Sequence, residues 1–119
     1  MKEAMVLKAN EAVVEEFDWG KLYWFASGKL GNSDKMTIGK CIIKPGCENP
    51  RHRHSNCQEI LHVLSGKIIH YVEDEYFQMG TGDTITIPPG LLHSAKNAGS
   101  EDAILMIAFS SAERKTEGK

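Results

Sequence analysis

The chain has 119 residues, 41% of them hydrophobic and 25% charged, with a formal net charge of −2. That length and composition predict one soluble globular domain, residues 1–119, built around a single core. Acids and bases are interspersed, so no basic stripe offers itself to nucleic acid and no acidic run forms a tail.

No stretch approaches the ~18 consecutive apolar residues of a membrane span. Met1-Lys2-Glu3-Ala4 places an acid where a secretion signal needs cations followed by a long apolar run. The three cysteines, Cys41, Cys47 and Cys57, are odd in number and form no C-x-x-C pair. Together these features predict a cytoplasmic protein with free thiols.

Short runs of β-type residues, each closed by turn formers, recur along the whole chain. Strands are predicted near Met5–Lys8, Lys21–Phe25, Lys35–Lys44, Gln58–Leu64, Lys67–Val72, Tyr76–Met79, Thr84–Ile87, Leu92–Asn97 and Ala103–Phe109. Glu11–Phe17 fits a short helix, although its Val13-Val14 pair suits a strand equally well. Pro45-Gly46, Ser65-Gly66, Gly80-Thr81-Gly82 and Pro88-Pro89-Gly90 supply the turns, glycine through positive φ and proline through its fixed φ. The polar residues after Ser110 are expected to fray, 111–119 above all. Many short strands with closely spaced turns predict an all-β sandwich or barrel rather than βαβ units.

Four residues carry the chemistry: His52, His54, Glu59 and His93. Three imidazoles and a carboxylate make a borderline-to-hard donor set, suited to one divalent transition metal such as Fe, Mn, Ni, Zn or Cu. His52 and His54 are two residues apart and project from one face of a strand. Cys57 lies between His54 and Glu59 in sequence, but a free cysteine is more often a small buried hydrophobe than a ligand.

The run G-C-E-N-P-R-H-R-H-S-N-C-Q-E-I-L-H-V-L-S-G, Gly46 to Gly66, resembles the first motif of the cupin superfamily. G-D-T-I-T-I-P-P-G-L-L-H-S-A-K-N, Gly82 to Asn97, resembles the second. The resemblance implies a double-stranded β-helix, the jelly-roll barrel that encloses a pocket. It implies a metal held by His52, His54, Glu59 and His93, with one or two positions open to water or substrate. Small single-domain cupins are commonly dimers. A homodimer is therefore expected here, with the Met5–Lys8 strand as the edge that a partner sheet would cover.

Strand parity extends the reading. With Glu59 inward, Leu61 and Val63 follow it and His62 faces out. A hairpin at Ser65-Gly66 then turns Ile68, His70 and Val72 inward on the next strand. His70 is thus a candidate catalytic acid or base near the metal. The competing readings are a neutral core histidine bonded to Tyr71 or Thr37, or a hydrogen-bond partner of a metal histidine. Trp19, Tyr23, Trp24 and Phe25 suit a pocket mouth or interface, with core packing the commoner fate of each. Lys44, just before the first motif, and Arg53, between His52 and His54, are candidates to bind an anionic substrate, but parity turns Arg53 away from the ligands; Gln58 and Asn97 are weaker candidates.

Two functional classes remain open. One is a metal-dependent enzyme on a small molecule, either an oxygenase or a sugar or uronate isomerase or lyase. The other is a non-catalytic module that binds or stores a small ligand or metal. Fold alone does not choose between them.

Overall fold

In a computed structural model, described over residues 3–118, strands account for about half of the described residues. β1 (Val13–Phe17), β2 (Gly20–Ala26), β3 (Thr37–Ile43), β5 (Glu59–Ser65), β8 (Thr84–Ile87) and β10 (Ala103–Phe109) form one antiparallel sheet. Its order is β1-β2-β3-β10-β5-β8. β4 (His52–Arg53), β6 (Lys67–Val72), β7 (Glu75–Gly80), β9 (His93–Asn97) and β11 (Glu117–Gly118) form the second, ordered β11-β4-β9-β6-β7. The chain is a jelly roll of two antiparallel sheets, as the resemblance implied.

The core follows from the two-residue period of β-structure. Along β10, Ala103, Leu105, Ile107 and Phe109 are buried while the residues between them are partly exposed. β3 alternates in the same way, and Ile43, Val63 and Leu105 meet with no measurable exposure. The second sheet answers with Ile68, Met79 and Ala95. Burying each such aliphatic side chain stabilises the fold by roughly 1.5–3 kcal/mol.

Three expectations need correction. Met5–Lys8 forms no strand: Met5 and Val6 lie exposed, and a 3-10 turn over Ala9–Glu11 follows. The Glu11 carboxylate accepts the Lys8 backbone N–H at 2.8 Å, which closes that turn locally. The β-branched pair Val13-Val14 begins β1 instead, and β1 pairs with β2.

Ser65-Gly66 is a corner rather than a hairpin, because β5 and β6 lie in different sheets. Gly66 has φ 106°, and a Cβ there would come within 3.0 Å of the Ala103 Cα. Only glycine turns the chain from one sheet to the other at that point. The inward set still changes from Glu59, Leu61 and Val63 to Ile68 and His70.

Up to Gly118 the C-terminal residues do not fray; Lys119 lies outside the described residues. β11 pairs with β4, and Asn56 binds both Glu113 and Lys115 through its side-chain amide. The segment is polar because its bonds are hydrogen bonds rather than apolar contacts.

One close approach shapes the interior. β2 carries an extra residue between Trp24 and Ala26, a bulge, beside the point where Trp24 pairs with Gly39. A Cβ on Gly39 would lie 2.6 Å from the Trp24 ring and 2.5 Å from the Tyr23 carbonyl oxygen. Gly39→Ala should therefore destabilise the protein by about 1–3 kcal/mol. The expected readout is a lower urea midpoint at unchanged slope. An unchanged midpoint would show that the indole has room to move.

Candidate metal centre

The centre lies between the sheets. β4 and β9 of one sheet pair His52 directly with His93, and His54 follows the end of β4. From the other sheet, β5 sends Glu59 inward. One ligand atom from each of these four residues falls within a group spanning no more than 4.8 Å. The Pro88-Pro89-Gly90 turn is tied to the site directly, since the Gly90 N–H donates to the His54 carbonyl at 2.9 Å.

Each imidazole is fixed by its far nitrogen. His52 Nδ1 lies 2.8 Å from the Pro50 carbonyl, His93 Nδ1 3.0 Å from that of Leu91, and His54 Nδ1 3.0 Å from that of Lys115. A backbone carbonyl only accepts, so each Nδ1 carries a proton and each Nε2 is the nitrogen left to face Glu59 or a metal. His93 Nε2 and His54 Nε2 lie 3.0 and 3.3 Å from Glu59 Oε1. His54 Nε2 is buried without a hydrogen-bond partner.

The electrostatics point the same way. Burial alone would raise the pKa of the Glu59 carboxyl, but the approach of His54 and His93 overrides it and holds the group below the ordinary carboxylate range. Burial lowers the pKa of His93, yet its hydrogen bond and charge interaction with Glu59 raise it above the usual value. Burial, helped by His93, pushes His52 down to about 4. The site is a buried carboxylate among imidazoles, and among the described residues no lysine or arginine pairs with it. Such a carboxylate draws a cation, and three converging lone pairs fit a divalent transition metal.

The four donors open onto a cavity of about 370 Å³. Trp24, Leu61, Leu105, Ile107 and Phe109 contribute apolar wall, while His70, Arg51, Arg114 and Glu15 contribute polar groups. His70 is inside, 1% exposed, its ring 5.6 Å from that of His93 and nearly parallel to it. Neither of its nitrogens has a partner, so no bond to Tyr71 or Thr37 forms; Thr37 instead donates to the Ser111 carbonyl. Burial pushes His70 down to about 4, which leaves it neutral at neutral pH.

The remaining candidates separate. Trp19 and Trp24 line the cavity, whereas Tyr23 stacks with Phe25 and carries Lys40 over its ring. Cys57 is buried in the core and lies outside the donor cluster. Asn97 is structural, donating to the Ile43 and Glu101 carbonyls and accepting from the Gly99 N–H. Lys44 is exposed and, like Arg53 and Gln58, does not line the cavity. Sequence reasoning missed Arg51, Glu15 and Arg114, the last because its segment reads as a tail.

Comparison with known proteins agrees with this geometry. The family model described as "Cupin domain" matches residues 39–109. The chain belongs to the cupin family. A germin-like protein, 3-8, of Oryza sativa subsp. japonica is 31% identical over 85 residues, covering 67% of this chain and 38% of that protein. The formate complex of Lactobacillus farciminis oxalate decarboxylase superposes with a TM-score of 0.84 at 22% identity, over 92% of this cupin and 34% of that chain. Bacillus subtilis oxalate decarboxylase, studied for its Mn(II) centres, gives 0.80 at 23%, over 87% and 29%. This cupin thus spans between 29% and 38% of the length of these relatives, and at such identities the structures report a shared fold.

Cys41 also lines the cavity, and burial, with a smaller contribution from Glu59, pushes its thiol up to about 12. Thiolate is the reactive form, so below that pH the thiol stays protonated and inert. At pH 8 iodoacetamide should label half-exposed Cys47 while leaving Cys41 unmodified until the protein unfolds. Peptide mass mapping that finds Cys41 alkylated in the native protein would contradict the closed wall.

Proposed function

We propose that this cupin is a mononuclear metal-dependent enzyme acting on a small molecule. The observation that carries the reading is the common fixing of three imidazoles. Each is held at Nδ1 by a backbone carbonyl, so that three Nε2 lone pairs and one carboxylate address a single point beside a cavity. A purely structural polar cluster has no need of three aligned lone pairs and an unpartnered buried nitrogen.

A metal bound by His52, His54, Glu59 and His93 would supply Lewis acidity, or a site for oxygen chemistry, next to the bound molecule. The chain's own residues do the rest. Glu59 offsets part of the cation's charge, and the apolar walls exclude water. His70, neutral and unpartnered, stands in the cavity wall beside His93, close enough to influence what that ligand holds. The oxalate decarboxylases of the same fold, one with Mn(II) centres, support an oxygenase or lyase type of chemistry and make Mn a first metal to test.

Protein expressed without added metal should carry about one transition metal per chain by elemental analysis. His93→Ala should lower the metal affinity by more than about tenfold, and Glu59→Gln should weaken it by removing the charge. If the triple variant His52→Ala, His54→Ala, His93→Ala keeps metal at the wild-type level, the assignment is wrong. A non-catalytic binding module is the alternative; metal-loaded protein that binds small molecules yet turns over none would favour it.

We also propose a cytoplasmic homodimer. The free thiols support the compartment. For the dimer, the relevant edge is β1, which ends its sheet and exposes Val13, Val14 and Phe17. Light scattering should return twice the chain mass; a monomer across the micromolar range would remove the dimer.

A further inference from the structure

Arg114 belongs to the C-terminal segment and lines the same cavity as the four donors. Its guanidinium carbon sits 4.2 Å from the centre of the Trp24 ring and 5.1 Å from that of Phe109. Phe109 in turn packs edge-on against His54 at 4.9 Å. The cation is therefore one aromatic ring away from the metal cluster. It is half-buried, and that burial lowers its pKa despite the attraction of Glu59 and Glu15.

What the cation lacks is an anion. Among the described residues no carboxylate lies within ion-pair distance of it. Glu15 faces the same cavity, but its Oε1 accepts the Trp24 indole N–H at 2.7 Å. The hydrogen bond that Arg114 makes goes to the neutral Thr116 hydroxyl, which leaves the rest of its donor fork available. Arg51, the other cavity cation, already donates to the Glu73 carbonyl.

We propose that Arg114 is the anion-recognition residue of this cavity, and that its ligand is a small organic carboxylate. A planar guanidinium stacked on aromatics presents two parallel donors, which match a carboxylate. One guanidinium seated on aromatic rings answers one negative charge; a phosphate dianion calls for more donors than Arg114 alone presents. The carboxylate pairs with Arg114, and a second polar group of the same molecule reaches toward the histidine cluster. Only that second anchor rests on the proposed metal site.

The test uses matched probes, butyrate against butyramide and benzoate against benzamide, with inorganic phosphate as a further arm. Affinities are measured by calorimetry on metal-free and Mn-loaded full-length protein, with metal content determined on the same samples. In wild type each carboxylate should bind about tenfold tighter than its amide, and tighter than phosphate. Arg114→Gln should bring the ratio close to one in both forms, while Arg114→Lys should keep part of it. A merely structural role would weaken acid and amide alike and leave their ratio intact.

The proposal is overturned if the ratio survives in Arg114→Gln, if wild type does not prefer the acids, or if phosphate binds best. Protein that takes up no metal when Mn is offered, yet keeps the Arg114-dependent ratio, would instead remove the metalloenzyme reading and leave this one standing. Metal held at one per chain with a flat ratio would do the reverse.

Discussion

The arrangement depends on a carboxylate kept charged in a buried position. Glu59 is 5% exposed, and its close polar neighbours are imidazoles rather than fixed cations. An isolated buried carboxylate would be costly and would normally take up a proton. Here the imidazoles hold its pKa down instead, so the site has its own affinity for positive charge. The same oxygen draws on His54 and His93 together, so proton and metal compete for one location.

The backbone sets which nitrogen faces that location. Two of the three anchors are local: His52 and His93 each reach the carbonyl two residues earlier, Pro50 and Leu91, so the turns that carry them also set their tautomers. The third is remote. His54 depends on the Lys115 carbonyl, and the Thr116 hydroxyl lies 3.3 Å from the same nitrogen. The C-terminal segment thus orients a ligand it does not contain. A loop that orients a ligand from outside commonly affects metal affinity nearly as much as the ligand's neighbours do.

Local signals in the sequence were enough for the four donors and for the inward placement of His70. Parity along Glu59, Leu61 and Val63 is a two-residue rule, and it holds wherever one face of a strand is buried. Gly66 was read as a hairpin and is a corner; both turn the chain after Ser65, and only the pairing of distant strands tells them apart. Met5–Lys8 has the residues of a strand without a partner to complete it. Propensity for β-structure measures fit to neighbours, and this segment pairs with no strand among the described residues. Arg114 had no legible signal, since a charged residue near a terminus looks the same whether it is solvated or docked.

Docking of that segment gives the cavity a character its strands alone lack. The strand-borne walls are apolar, from Leu61 through Leu105, Ile107 and Phe109, and they depress the effective dielectric around any charge placed between them. In such surroundings a cation retains more of its pull than at the surface, and it costs more to leave unpaired. Trp24 and Phe109 hold Arg114 by their ring faces, an attraction that leaves its hydrogen-bond donors unspent. Gly39 makes room for the Trp24 indole, and the Trp24 N–H engages the acid nearest in kind to a competitor, Glu15. One bulged strand and one absent side chain therefore set where the charge at the cavity wall stands, and the double-stranded scaffold common to cupins does not by itself specify that position.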